Sequence, residues 1–97
     1  MSEASLTAQV IALLKVYGCW SLKVHGHPWQ RSGVPDIIAC VPPGRFLAIE
    51  VKMPHGRLTP LQKREHVTLT RAGAVHVVAY SVADVEDALR ELRDAPK

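Results

Sequence analysis

The stretch GVPDIIACVPPGRFLAIEVK, residues 33–52, has the strongest structural pattern in this chain. Two apolar runs flank a Pro-Pro-Gly sequence, a pattern typical of two strands joined by a tight turn. If the turn is centred on Pro43, Asp36 lies opposite Glu50 at the far end of the hairpin. Directly opposed residues of an antiparallel pair have Cβ atoms about 5 Å apart. The pattern therefore predicts a hairpin whose open end carries two neighbouring carboxylates.

The hairpin brings together the charged side chains of Asp36, Glu50 and Lys52 among apolar strand residues. Glu50 and Lys52 are two residues apart and therefore point to the same face of the strand. Two opposed carboxylates favour a cation between them, and Mg²⁺ takes such oxygen ligands together with water and substrate phosphate. This set indicates phosphodiester chemistry, in which Lys52 orients or deprotonates water or stabilises transition-state charge. The alternative is a structural ion pair in a small α/β protein that binds no nucleic acid.

Four ordered pieces of the chain resemble the VRR-NUC branch (the virus-type replication-repair nucleases) of the PD-(D/E)XK nuclease superfamily. The pieces are Ser2-Glu3 at the start of a helix, Gly33-Val34-Pro35-Asp36, the run from Gly44 to Lys52, and the run from Gly56 to Gln62. The superfamily signature, Pro-Asp followed by Glu-Val-Lys, is loose by itself. The ordered set of four pieces is more specific, and it extends over nearly the whole chain.

The resemblance implies an α/β fold of the restriction-endonuclease-like type, αβββαβα, with a central mixed sheet flanked by helices. It also implies a Mg²⁺- or Mn²⁺-dependent endonuclease that cuts branched, flapped or four-way DNA in replication, recombination or repair. A chain of 97 residues is small for a four-way junction, so we expect a homodimer that presents two sites. The alternative is a nucleic-acid-binding module that keeps the fold without catalysis. The intact set of Asp36, Glu50 and Lys52 argues against it.

The resemblance also assigns roles to individual side chains. Asp36 and Glu50 bind the metal ion, with the main-chain carbonyl of Val51 as a further ligand. Glu3 joins the active site, where it serves a second metal ion or orients water. Its alternative role is charge–dipole stabilisation of the helix N-terminus, worth about 0.3–1 kcal/mol. Gln62 faces the site in related nucleases; its alternative is a capping box, and we expect the two roles to compete for one side chain.

The loop before the hairpin, residues 26–33, contains residue types that touch nucleic acid. His27 and Arg31 are candidates for phosphate contact, and Trp29 can stack on a base. The alternatives are a solvated Arg31 and a Trp29 that caps the small core, and for Trp29 we expect the core role. Three more candidate phosphate contacts follow the hairpin, although many surface cations are simply solvated: Arg57, Lys63 and Arg64.

Hydrophobic periodicity and capping residues predict the other elements. Helices are expected over 3–17, over 60–72 and from 82 onward, and strands over 19–25 and 74–80. Both faces of the hairpin are apolar apart from its charged end, so we expect helices to cover both faces of the sheet. We also expect the last strand to be buried on both faces, with His76 as a satisfied histidine. The tail from Asp94 is expected to fray.

Charge and composition fit one small domain, residues 1–97, that binds a polyanion. The formal net charge is +3, and residues 1–80 hold nine Lys/Arg against four Asp/Glu. A basic body of this kind suits a phosphate backbone. No apolar run is long enough to span a membrane. Cys19 and Cys40 lack metal-ligand spacing, so we expect reduced, partly buried thiols in the cytosol of a bacterium or phage host.

Overall fold

The computed structural model of the chain describes residues 1–94, and its elements follow the predicted order αβββαβα. They are α1 (Glu3–Val16), β1 (Trp20–Lys23), β2 (Ile37–Val41), β3 (Arg45–Val51), α2 (Pro60–Arg71), β4 (Val75–Ala79) and α3 (Val82–Asp94). The strands form a mixed sheet in the order β1–β2–β3–β4. The pairs from β1 to β3 are antiparallel, and β3 and β4 are parallel.

The ends of the elements lie close to the predicted positions. Ser2 caps α1, its Oγ accepting from the N–H of Ser5 at 3.0 Å. The first strand is shorter than expected, since only four of the residues 19–25 form β1. The predicted fraying beyond Asp94 falls outside the described residues. No helix among residues 1–94 is long and apolar enough to cross a membrane.

The Pro-Pro-Gly turn sets the register of β2 on β3 as predicted. Ile37 lies opposite Ile49, so the next position outward brings Asp36 level with Glu50. A slip of one residue would turn one strand's side chains to the other face of the sheet. The register of this hairpin therefore decides that the two carboxylates share a face.

One face of the sheet carries the hydrophobic core, under α1 and α3. The fully buried side chains on this side include Leu6, Val10, Leu14, Ile37, Leu47, Ile49, Val85 and Leu89. Each such aliphatic side chain contributes roughly 1.5–3 kcal/mol when it leaves water. This face therefore supplies most of the burial that stabilises the fold.

The opposite face of the sheet is only half covered, which corrects the expectation of helices over both faces. α2 lies on the β4 side, and an α-helix about 10–12 Å wide spans little more than two strands. Over β1, β2 and the start of β3 the face stays open: Trp20 is 60% exposed, Leu22 50% and Phe46 43%. Cys40, expected to be partly buried, is also exposed and lies between Trp20 and Phe46 on adjacent strands. These four residues are called the apolar patch below.

β4 is covered by α3 on one face and by α2 on the other, but it is less buried than predicted because it is an edge strand. Only Ala79 is fully buried in it. His76 is satisfied at one nitrogen alone, since its Nδ1 lies 2.7 Å from Nδ1 of His66 on α2. Its buried Nε2 has no partner among residues 1–94. Burial, followed by the neighbouring His66, lowers the pKa of His76 to about 4, so the neutral ring is the form that packs against α2.

Gly33 fixes the loop before β2 against the start of α2. Its φ is +90°, and a Cβ at this position would lie 2.6 Å from the carbonyl oxygen of Leu61. Glycine alone adopts such a backbone conformation easily and leaves room for the close approach. The close contact between the loop and α2 is therefore the reason why residue 33 is glycine.

We expect Gly33→Ala to lower the free energy of unfolding by about 1–3 kcal/mol, because it combines a strained φ with a steric clash. Gly26→Ala, in the same loop, is the matched control, since a Cβ there meets nothing within 4 Å. Denaturant unfolding of both variants measures the difference. Equal stability of the two would show that the loop is not held against α2 at Gly33.

Candidate active site

Glu50 on β3 is the only buried charged residue among residues 1–94, with 1% of its surface exposed. Its Oε1 accepts a hydrogen bond from Nε2 of Gln62 at 3.0 Å, whereas its buried Oε2 has no partner in the described part of the chain. Burial, followed by the charge of Asp36, raises the pKa of Glu50 to about 8; Glu3 also raises it, and Lys52 lowers it. A buried carboxylate oxygen without a partner is costly unless a cation or donor satisfies it.

Asp36 lies directly before β2, and main-chain groups hold it there. Its Oδ2 accepts from the N–H of Val51 at 2.8 Å, and its carbonyl accepts from the N–H of Val24 at 2.8 Å. Extending the hairpin register by one further position brings Pro35 opposite Val51. Proline has no N–H to donate, so the Val51 carbonyl has no strand donor opposite it. The Pro-Asp sequence thus orients one carboxylate and leaves one carbonyl available.

These donors fit a hard divalent cation. The carboxylates of Asp36 and Glu50 and the Val51 carbonyl offer only oxygen, which suits Mg²⁺ and Mn²⁺. No group of three or more His, Cys, Asp or Glu side chains within residues 1–94 is arranged to hold a metal ion. An ion here would therefore complete its coordination with main-chain oxygen and water, as Mg²⁺ commonly does.

Gln62 fills both roles that were expected to compete. Its Oε1 accepts from the N–H of Thr59 at 2.9 Å, and its own N–H donates to Thr59 Oγ1 at 3.2 Å, which completes the capping box of α2. The other end of the same amide, Nε2, donates to Glu50. An amide side chain has both an acceptor and two donors. The cap of α2 therefore also orients the buried carboxylate.

Lys52 and Glu3 complete the predicted catalytic set. Lys52 is half-buried just after β3, where its N–H donates to the carbonyl of Ala79 at 3.0 Å. Glu3 is exposed in the first turn of α1. Both act on the pKa of Glu50, in opposite directions, and Glu3 acts more weakly than Asp36. The structure thus brings all of these charges within electrostatic reach of Glu50.

Two of the predicted DNA-binding residues meet at a groove between the loop and α2. Arg31 and Arg64 line this groove of about 540 Å³. The guanidinium of Arg31 forms an ion pair with Glu65 on α2, although its side chain is 76% exposed. Arg31 is therefore neither simply solvated nor free. Glu65 holds it beside the groove.

The other predicted DNA-binding residues are more scattered. His27 is exposed in the loop, where its Nδ1 accepts from the N–H of Trp29 at 3.1 Å. Arg57 follows the hairpin, and Lys63 lies on α2; both are exposed and neither lines the groove. The expected core role of Trp29 is wrong, because its side chain is 88% exposed.

Sequence reasoning missed two residues that support the site. Glu65, which binds Arg31, lies three residues after Gln62, and this one-turn spacing could have identified it. The hydroxyl of Tyr80 donates to the carbonyl of Gly56 at 2.9 Å and holds the loop that follows Lys52. This contact joins distant parts of the chain, and no local pattern signals it.

A mixed α/β sheet with this hairpin defines a protein of the restriction-endonuclease-like class. The family model described as the VRR-NUC domain matches residues 25–83, so the chain belongs to the VRR-NUC domain family of nucleases. The resemblance inferred from the four sequence pieces is confirmed.

Similar proteins agree with this family and with the fold. "Putative nuclease p44" of Acyrthosiphon pisum secondary endosymbiont phage 1 is 42% identical over 43 residues, which are 44% of this chain and 46% of that protein. The match thus spans less than half the length of that relative. Two solved structures named as VRR_NUC domains superpose with TM-scores of 0.76 and 0.73, at 24% and 21% identity, over 97% and 94% of this chain and 97% and 87% of theirs.

A third solved structure is Hjc, a Holliday junction resolvase of Archaeoglobus fulgidus. It superposes with a TM-score of 0.61 at 29% identity, over 78% of this chain and 65% of that protein. The restriction-endonuclease-like α/β fold predicted from the sequence is confirmed by these superpositions.

We expect Glu50→Gln to stabilise the metal-free protein progressively as pH rises from 6 to 9. The pKa of Glu50 is about 8 in the folded protein and near 4.5 in the unfolded chain, so the folded protein binds this proton more tightly. The resulting stabilisation is fully present below pH 4.5 and is lost as the pH rises through 8. A Gln side chain keeps the hydrogen bond without ionising. In EDTA, the unfolding free energy of the variant minus that of wild type should increase by roughly 2 kcal/mol between pH 6 and pH 9. A difference independent of pH would mean that Glu50 titrates normally.

Proposed function

We propose that this protein is a metal-dependent endonuclease that hydrolyses DNA phosphodiesters. The observation that carries the proposal is the buried Glu50, with one oxygen bound by Gln62 and the other without a partner, beside Asp36 and Lys52. A buried carboxyl oxygen without a partner among the described residues, next to a second carboxylate, is suited to a bound cation. Membership in a nuclease family supports the same assignment.

The side chains divide the work by their chemistry. Asp36 and Glu50, with the Val51 carbonyl, would hold Mg²⁺ or Mn²⁺, which when bound lowers the pKa of a water and offsets charge on the phosphate. Gln62 keeps one oxygen of Glu50 engaged, so that the other faces the site. Lys52 orients the attacking water or stabilises negative charge on the phosphoryl oxygens. In the net reaction water adds to phosphorus, one P–O ester bond breaks, and the departing oxygen gains a proton.

Two exposed groups complete the proposed machinery. Glu3, at the start of α1, orients water or serves a second ion. The basic residues hold the DNA through its phosphates, because none belongs to a pattern that reads base edges: His27, Arg31, Arg57, Lys63 and Arg64. Binding should then follow DNA shape more than base sequence.

We expect Asp36→Asn to abolish nicking of labelled DNA while the fold stays intact. The amide keeps the size of the side chain and an oxygen for the Val51 N–H, but it removes one of two anionic ligands. Lys52→Ala should also lose cleavage, by roughly 100-fold or more, while it keeps its response to metal. The assay compares wild type and both variants on flap, fork, four-way and linear DNA with Mg²⁺, Mn²⁺ or EDTA.

Thermal unfolding separates the roles of these residues. Ligands that bind only the folded state raise the melting temperature, so Mg²⁺ or Mn²⁺ should stabilise wild type and Lys52→Ala more than Asp36→Asn. Equal shifts in all three proteins would mean that Asp36 is not a ligand. Binding of DNA without any metal-dependent cleavage would instead favour the alternative, a nucleic-acid-binding module.

We propose further that the natural substrate is branched DNA and that the enzyme acts as a homodimer. The similarity to a Holliday junction resolvase supports this substrate class, and a two-fold dimer would present two sites to a structure with two equivalent strands. The similarity to a phage protein favours action in the cytosol of a bacterial host.

A second copy of the chain is the occupant we propose for the apolar patch. Trp20, Leu22 and Phe46 are large, about half exposed and uncharged, and an apolar surface is complementary to itself across a two-fold axis. A groove of about 420 Å³ at Phe46 is lined by residues 44–46 of the hairpin, by Leu69 near the end of α2 and by residues 72–74 that follow it. Trp20 of the second copy could fill such a groove. The outward face of α3 is less suitable, since it carries charged pairs such as Glu86 with Arg90.

We expect Trp20→Lys to convert a dimer to a monomer, because it introduces a charge into the apolar patch. Sedimentation or light scattering at several protein concentrations measures the change. Trp29→Ala is the matched control and should leave the mass unchanged, since Trp29 lies outside the patch. A wild-type protein that is monomeric at all concentrations would disprove the dimer and leave the nuclease assignment unaffected.

A further inference from the structure

The chain has two tryptophans. Both are exposed, but one has apolar neighbours and the other has polar ones. Trp20 lies in the apolar patch, among the large apolar side chains that are typical of a protein interface. Trp29 is 88% exposed on the loop before β2, and its sequence neighbours His27, Gln30 and Arg31 are polar or basic. Proteins that bind single-stranded nucleic acid combine exposed aromatic side chains with a basic groove, and Arg31 and Arg64 line such a groove next to this loop.

The main chain holds Trp29 in a defined turn. The N–H of Trp29 donates to Nδ1 of His27 at 3.1 Å, and the N–H of Gln30 donates to the carbonyl of His27 at 3.0 Å. The rings of His27 and Trp29 are 6.4 Å apart and tilted by 48°, so His27 does not stack on the indole. The indole is therefore largely presented to solvent.

The same loop is joined to the proposed active site at two points. Arg31, two residues after Trp29, pairs with Glu65 on α2. Gly33 packs against Leu61 at the start of the same helix, one residue before the Gln62 that binds Glu50. The loop then continues into Asp36. The loop and α2 thus connect Trp29 to both carboxylates of the proposed site, Asp36 and Glu50.

We propose that Trp29 stacks on an unpaired nucleobase of the DNA close to the strand that is cut. The inference rests on the proposed nuclease function and specifies its substrate: DNA in which a base has left the duplex, as in a flap or single-stranded arm. Arg31 and Arg64 in the adjacent groove then bind the flanking phosphates. Because every base has an aromatic face, this contact selects DNA shape without selecting sequence.

Binding of a flap and of a flush duplex with the same paired sequence tests the proposal. In an Asp36→Asn background, Trp29→Ala should weaken flap binding roughly 5- to 150-fold, the effect of one lost base stack, and duplex binding less than about 2-fold. Trp29→Phe, which keeps an aromatic face, should restore most of the flap affinity. Arg57→Ala is the control, because loss of a phosphate contact weakens both complexes equally. Equal losses on both DNAs for Trp29→Ala would overturn the proposal.

Fluorescence gives a second readout that needs neither cleavage nor a variant at Trp29. In Trp20→Phe, Trp29 is the sole tryptophan, and a single-stranded oligonucleotide should quench its emission while flush duplex does not. Unchanged emission with bound oligonucleotide would also overturn the proposal. If wild type never cuts DNA but the flap preference depends on Trp29, the stacking site stands and the nuclease assignment falls. If wild type cuts DNA and Trp29→Ala binds both DNAs as wild type does, the nuclease assignment stands and the stacking site falls.

Discussion

The proposed active site is organised around the burial of one carboxylate, that of Glu50. A carboxylate 1% exposed on an apolar sheet is costly in any protein, and its position is compensated at one oxygen alone, by Gln62. Burial and the neighbouring Asp36 raise the pKa of Glu50 to about 8, so the metal-free site keeps a proton near neutral pH. A divalent ion would replace this proton, so the proposed function and the raised pKa have the same physical origin.

The elements around the site position these charged groups. The Pro-Pro-Gly turn sets the register that brings Asp36 level with Glu50, and Pro35 withholds a ladder donor from Val51. The capping box begins α2 and directs the Gln62 amide toward β3. Each local motif therefore has a structural role as well as a role in the proposed chemistry.

The two faces of the sheet serve different purposes. The core under α1 and α3 stabilises the domain, whereas the other face carries the charged site and, beside it, the apolar patch. α2 is a single helix and spans little more than the width of two strands, so the patch stays open. The loop before β2 extends this second face, because Gly33 and Arg31 bind it to α2. The proposed contacts with DNA and with a second copy both follow from this incomplete cover.

The sequence alone determined the element order, the hairpin register and the set of charges that converge on Glu50. These follow from local rules: the period of apolar residues, the chemistry of the turn and the caps, and the two-residue alternation along a strand. The tertiary structure decided the rest. β4 lies at the edge of the sheet and is only half-buried, the width of α2 leaves Trp20 open, and Trp29 lies on the surface of the loop before β2. Whether a surface is covered depends on which elements, distant in sequence, pack against it. No local pattern in the sequence encodes that packing.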